Sequence, residues 1–230
     1  MKTRALPALL AVLLSGALLS ACASPQRRPR LPLKLDANPS ALLALEIAMK
    51  QLSKEKGRSE ALREFAAPDA VMFVPQRVAA ASWLKDNRNL PAIDWDVHRV
   101  ITSCDGKAAV TTGAWRAQGN SRGYFTTIWQ RFEQPDGTGK WLWTLTHDDR
   151  LEEPWPAPDF VRTDIASCKG RASVAIAAPA EGTELKQGLS RDQSLSWTWQ
   201  YRADQSRSLE IKIWDGAKII TLFTNNVPAK

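Results

Sequence analysis

Few residues of this 230-residue chain have the chemistry to act on a substrate. There are two histidines, His98 and His147, and three cysteines, Cys22, Cys104 and Cys168. His147 precedes Asp148 and Asp149. Neighbours on a strand point to opposite faces, so these three do not converge on a metal. With so few cysteines and histidines, neither a metal centre nor a cofactor is expected. Asp136-Gly137-Thr138-Gly139-Lys140 lacks the spacing and following helix of a phosphate loop and reads as a hairpin turn. No Gly-x-Ser-x-Gly nucleophile elbow appears beyond the N-terminal apolar run. His147 alone reads either as a hydrogen-bonded core or rim residue or as a general base.

The cysteines direct attention to the N-terminus. Lys2 and Arg4 precede an apolar run from Ala5 to Leu19, too short to span a bilayer and typical of a secretory signal. The run ends Leu19-Ser20-Ala21-Cys22, which resembles the bacterial lipobox. That resemblance implies cleavage before Cys22 and lipidation of its thiol. Several acyl chains anchor firmly at about 0.8 kcal/mol per buried CH₂. Ala23 and Ser24 come next without an aspartate, which by the same resemblance favours the periplasmic face of the outer membrane. Arg27, Arg28 and Arg30 among Pro25, Pro29 and Pro32 read as a solvated tether, or as cations against anionic headgroups. The formal charge of +7 would suggest nucleic acid in a cytosolic protein, but export removes that partner. The expected partners are the membrane, a small apolar ligand and an envelope protein. Cys104 and Cys168 remain after lipidation. In an exported chain they permit one disulfide, the other reading being two separate thiols.

The elements that must position these residues emerge from periodicity. Ser40 is expected to cap a helix whose apolar face is Leu42, Leu45, Met49 and Leu52, ended by Gly57. A second helix from Ser59 carries Leu62 and Phe65, and a third covers residues 79–86. Strands are expected at 70–74, 95–101, 108–118, 124–133 and 141–148. Leu151 to Val161 holds Pro154, Pro156 and Pro158 and reads as a linker. Further strands are expected at 173–177, 195–201, 208–214 and 218–224. Helices first and then a strand meander argue for an α+β class. The organisation expected is a leader at 1–21, a tether at 22–38, an α+β domain at 39–151, a linker at 152–162 and a small all-β region at 163–230 packed on the domain before it. Ten tryptophans stand out. Trp141 with Trp143, and Trp197 with Trp199, share sheet faces and serve either as core or as an aromatic platform.

The stretch from Ala41 to Arg150 resembles the SnoaL-like branch of the nuclear transport factor 2-like superfamily. The residues carrying this are Phe65-Ala66-Ala67-Pro68-Asp69-Ala70-Val71-Met72-Phe73, Thr112-Gly113-Ala114-Trp115, Gly123 to Trp129, and Trp141 with Leu145-Thr146-His147. The resemblance implies a cone, in which three helices close a curved antiparallel sheet around a pocket. Family members include isomerases, hydrolases, cyclases and pure binding domains, so it implies a pocket rather than a reaction. A two-residue turn at Asn120-Ser121 would set Trp115 opposite Thr126, and a four-residue turn at Asp136–Gly139 would set Ile128 opposite His147. Trp115, Tyr124, Thr126, Ile128, Trp143 and His147 then share the inward face, joined by Phe73. On the family's isomerase pattern His147 would be the base and Tyr124 the donor. The family's base position near the end of the first strand reads Val74-Pro75-Gln76 here, without a carboxylate. The first reading is therefore a lipid-anchored module that binds a small apolar or aromatic molecule or a partner's side chain. The alternatives are an isomerase or hydrolase in the same pocket, and an envelope assembly factor acting through the C-terminal strands.

Overall fold

The computed structural model describes residues 37–170 and 172–229. The expected leader, Cys22 and residues 23–36 of the tether lie outside the described residues. The described chain is α+β: three helices and eleven strands, the strands in two sheets.

Helix α1 (Pro39–Lys56) starts at Asn38, whose side chain accepts a hydrogen bond from the Ala41 amide. The cap is thus Asn38 rather than Ser40, with Pro39 in the first turn where its missing N–H costs nothing. Gly57 comes next at φ 92°, a value that favours glycine, and turns the chain into α2 (Arg58–Glu64). Helix α3 (Ala80–Asp86) comes after two short strands, β1 (Ala66–Phe73) and β2 (Arg77–Ala79). The long meander is β3 (Ile93–Thr102), β4 (Ala108–Ala117), β5 (Arg122–Glu133) and β6 (Gly139–Arg150).

The first sheet runs β2-β1-β6-β5-β4-β3-β7, where β7 is Arg162–Ile165. It is mixed rather than antiparallel throughout. β1 runs parallel to β6 and β7 parallel to β3, while the meander between them is antiparallel. The second sheet runs β11-β10-β9-β8, with β8 at Thr183–Leu189, β9 at Leu195–Arg202, β10 at Arg207–Trp214 and β11 at Ile219–Val227. Residues 173–177, expected to be extended in a sheet, carry no strand, and β8 replaces them in the pairing. The alternation of 183–189 is weak because both of its faces are partly exposed.

The layers are set by which faces are apolar. On one side of the first sheet, Leu42, Met49, Leu62 and Leu84 of the helices cover Trp95, Trp115, Phe125, Trp129 and Trp143. On its other side, Val71, Phe73, Ile101, Val110, Ile128 and Leu145 meet Leu195, Trp197, Trp199, Leu209, Ile211 and Ile213 of the second sheet. Trp129 and Trp143 are fully buried. Each removes roughly 200 Å² from water, on the order of 5 kcal/mol of transfer free energy. Trp197 and Trp199 are core rather than a surface platform, since they pair across the ladder with Ile211 and Leu209 on the buried face.

Bulges decide which side chain faces which layer. β3 shifts register between Val97 and Arg99, leaving His98 as the extra residue. β6 shifts between its pairings with Ile128 and Trp129, leaving Thr144 extra. Each extra residue reverses the alternation beyond it. At the first bulge a Cβ on Gly113 would lie 1.9 Å from the Asp96 carbonyl oxygen, so only glycine allows the strands to approach there.

Candidate functional site

The helix-covered side of the first sheet holds a polar floor in an aromatic cage. Glu46 lies between Leu42 and Met49 on the buried face of α1. Its Oε2 accepts from Trp95 Nε1 at 2.9 Å and its Oε1 from Thr111 Oγ1 at 2.5 Å. Trp129 Nε1 in turn donates to Thr111 Oγ1. Burial raises the Glu46 carboxyl above its ordinary pKa, against the opposing effect of those hydrogen bonds. Trp115 Nε1 donates to the Tyr124 carbonyl and Trp143 Nε1 to the Leu62 carbonyl. Both indole N–H groups are thereby satisfied, and the rings offer the cavity only apolar surface.

These rings, with Phe125 and Met49, enclose a cavity of about 50 Å³. A second cavity of about 240 Å³ adjoins it, and both have Arg58, Ile93, Trp115 and Asp148 in their walls. The second adds Phe73, Val74 and Pro75 on its apolar side, and Asp149, Arg150 and Arg207 on its polar side. Burial lowers the pKa of Arg58, and the charge of Asp148 opposes that shift.

The structure divides the residues expected on the inward face. Trp115 and Trp143 do line the helix-side cavity. Tyr124, Thr126, Ile128, His147 and Phe73 lie on the opposite side of the sheet, facing the second sheet, and Phe125 and Thr127 take the inward places. The β4–β5 loop explains this. The pairing ends at Arg116 and Arg122, with Gln118–Asn120 in a helical turn, so Trp115 pairs with Gly123 and Thr126 with Thr112. This three-residue offset from the expected register is odd and exchanges the faces. The β5–β6 turn differs by two residues, pairing Ile128 with Leu145 and Thr126 with His147, so those residues keep a common face. The Thr144 bulge then puts Trp143 on the helix side.

His147 and Tyr124 are neighbours nonetheless, with ring centroids 6.0 Å apart, and His147 lies 5.6 Å from the Phe73 ring. His147 is 0% exposed, and neither of its ring nitrogens has a hydrogen-bond partner. Burial, then the Arg207 charge, push its pKa down to about 3. Burial, then the Asp149 charge, hold the Tyr124 phenol above its ordinary range. At neutral pH both rings are uncharged. A histidine sealed from solvent with so low a pKa is poorly matched to the role of a base.

Sequence reasoning misses Arg207 as a pocket residue, and with it Glu46 and Arg58. Arg207 opens the stripe Arg207, Leu209, Ile211, Ile213, which is buried along its length. A charge heading an apolar stripe is the signal for Arg207, as a carboxylate inside the Leu42–Met49 face is for Glu46. Arg207 Nη2 donates to the Asp148 carbonyl at 2.6 Å, and its guanidinium carbon lies 5.4 Å from the Phe73 ring centroid. Elsewhere, Cys104 and Cys168 form a disulfide. Asp94 and Asp96 sit partly exposed in ion pairs with Lys50 and Arg116. His98, the extra residue of the β3 bulge, is buried against Trp155. Among the described residues, no three histidine, cysteine, aspartate or glutamate side chains gather as a metal-holding group.

No family model and no curated protein sequence matches the chain. Among solved structures, it is similar to a candidate ketosteroid isomerase from Parabacteroides distasonis at 18% identity, covering 52% of this chain and 93% of that one, with a TM-score of 0.39. A candidate ketosteroid isomerase from Shewanella frigidimarina matches at 17% identity, covering 48% and 92%, with a TM-score of 0.33. The S. rosetta CaMKII hub matches at 18% identity, covering 50% and 98%, with a TM-score of 0.37.

Proposed function

We propose that this protein is a lipid-anchored cell-envelope binding module. Its first domain is a cone of the nuclear transport factor 2-like kind, and its ligand is a small apolar or aromatic molecule held in the paired cavities around Trp115. The observation that carries this reading is the shared wall. Trp115, with its N–H already satisfied, is an apolar plate common to both cavities, beside Ile93 and opposite polar groups that can fix an orientation. Catalysis by His147 and Tyr124 is not adopted, because neither residue lines either of these cavities.

Two experiments test the two halves of the proposal. Native mass spectrometry of the full chain, incubated with an envelope extract, is expected to show a small added mass on wild type that Trp115→Ala loses. A bare mass for wild type would sink the pocket. Labelling cells with a radioactive fatty acid is expected to mark wild type and leave Cys22→Ser unmarked. Equal labelling of both, or of neither, would sink the anchor and leave the pocket standing.

A further inference from the structure

We propose that the larger of the two cavities selects an anion: Arg207 receives the carboxylate of an amphipathic acid whose ring or short acyl chain lies on Trp115, Ile93 and Phe73. The inference rests on the pocket reading and names its ligand class.

Unsatisfied atoms cluster around Arg207, behind the cavity wall. Among the described residues, ten buried side-chain nitrogen or oxygen atoms lack a hydrogen-bond partner, and five belong to three residues: Arg207 Nε and Nη1, Tyr124 Oη, and both ring nitrogens of His147. Native proteins hold few such atoms, and they rarely cluster. Here they lie along one line of ring contacts, from Arg207 over Phe73, through His147, to Tyr124. Arg207 is 4% exposed and forms no ion pair with any described residue. A buried guanidinium held by a single carbonyl is costly, and the contact with Phe73 offsets only part of that cost. Arg207 is part of the cavity wall, so a turn of its side chain would bring those sealed N–H groups to a guest.

The cavity walls define the chemistry of that guest. The polar side carries three arginines, Arg58, Arg150 and Arg207, and two aspartates, Asp148 and Asp149. The balance favours an anion. Asp148 has interactions of its own, and its carbonyl already orients Arg207. Arginine presents a planar fork of donors that matches a carboxylate. The apolar lining, Phe73 to Pro75 with Ile93 and Trp115, suits an apolar body. A free aromatic acid and a short fatty acid share this chemistry.

The test compares 2-naphthylacetate with its neutral amide, 2-naphthylacetamide, by calorimetry on the full chain. Octanoate with octanamide provides the aliphatic arm. Wild type is expected to bind at least one acid about tenfold or more tightly than its amide. Arg207→Met is expected to bind acid and amide alike, Arg207→Lys to keep part of the preference, and Trp115→Ala to weaken both ligands together. The wild-type ratio needs no variant, so a poorly folded Arg207→Met leaves the test intact. Equal binding of acid and amide to wild type would overturn the anion subsite while sparing the pocket. An acid preference that survives in a folded Arg207→Met would overturn the role of Arg207. Failure of wild type to bind all four compounds would overturn the inference together with the pocket reading.

Discussion

Reducing the Cys104–Cys168 disulfide is expected to lower the unfolding free energy by about 4 kcal/mol. The two cysteines are 64 residues apart. Closing a loop of that length removes roughly 14 cal/mol/K of entropy from the unfolded chain, which gives that figure near room temperature. Against a total of about 5–15 kcal/mol for an ordinary domain, the loss is large. The bridge also sits where the two sheets meet. The Cys104 amide donates to Ser194 Oγ and the Asp105 amide to Asp192 Oδ2, so the β3–β4 turn is bonded to the loop between β8 and β9. Cys168 comes after Ala166, whose amide reaches the Thr102 carbonyl, and Ser167, whose amide reaches the Trp214 carbonyl. Denaturant unfolding with and without reductant, and of a Cys104→Ser/Cys168→Ser double variant, measures the effect. Midpoints that coincide in all three samples would show that the bridge adds nothing.

How much of the fold was legible in the sequence depended on the range of the interaction. Helix α1 was legible because Leu42, Leu45, Met49 and Leu52 repeat at helical spacing, and that pattern is local. The β9–β10–β11 ladder was legible for the same reason, with Asp215-Gly216 marking its last turn. Strand β8 was not, since its pairing with β9 supplies the order that its own pattern lacks. Nor were the parallel pairings of β1 with β6 and of β7 with β3, which link segments far apart in the chain. The site suffered most. Which side of the sheet Tyr124 and Thr126 face depended on one loop, and a helical turn at Gln118–Asn120 replaced the expected two-residue turn. The bulge residues His98 and Thr144 carry no mark that distinguishes them from neighbours in regular strands. Trp115 and Trp143 nevertheless reached the expected cavity, because the loop offset moved Trp115 and the bulge moved Trp143 to the same side.

Acid is expected to destabilise the protein well before its carboxylates titrate, and His147 is the main reason. Its pKa falls from an ordinary 6.5 to about 3 on folding. The folded state therefore holds it neutral where the unfolded chain would protonate it. The stability this gives is complete above pH 6.5 and is lost as pH falls from there toward 3. In the middle of that window the slope approaches about 1.4 kcal/mol per pH unit, the value for one proton. His98, also lowered by burial, acts in the same direction. The aspartates lowered by their partners, such as Asp94 and Asp192, lose their contributions only below their ordinary value of 3.8. A decline between pH 6.5 and 4.5 thus reports the histidines, opposed by Glu46, whose raised carboxyl takes up its proton in the folded state first. His147→Leu is expected to remove most of the slope and to exceed wild type in stability near pH 5, measured by urea unfolding across that range. A slope unchanged by the substitution would sink the assignment. Burial is the larger cause, and the Arg207 charge at the proposed anion subsite adds to it. A proton on His147 would place a second buried cation beside Arg207, in a layer already filled by Phe73 and Tyr124, and the two charges would repel each other. A carboxylate bound at Arg207 would weaken that repulsion and raise the folded-state pKa of His147, so the acid ligand is expected to make the decline smaller, whereas the amide is not.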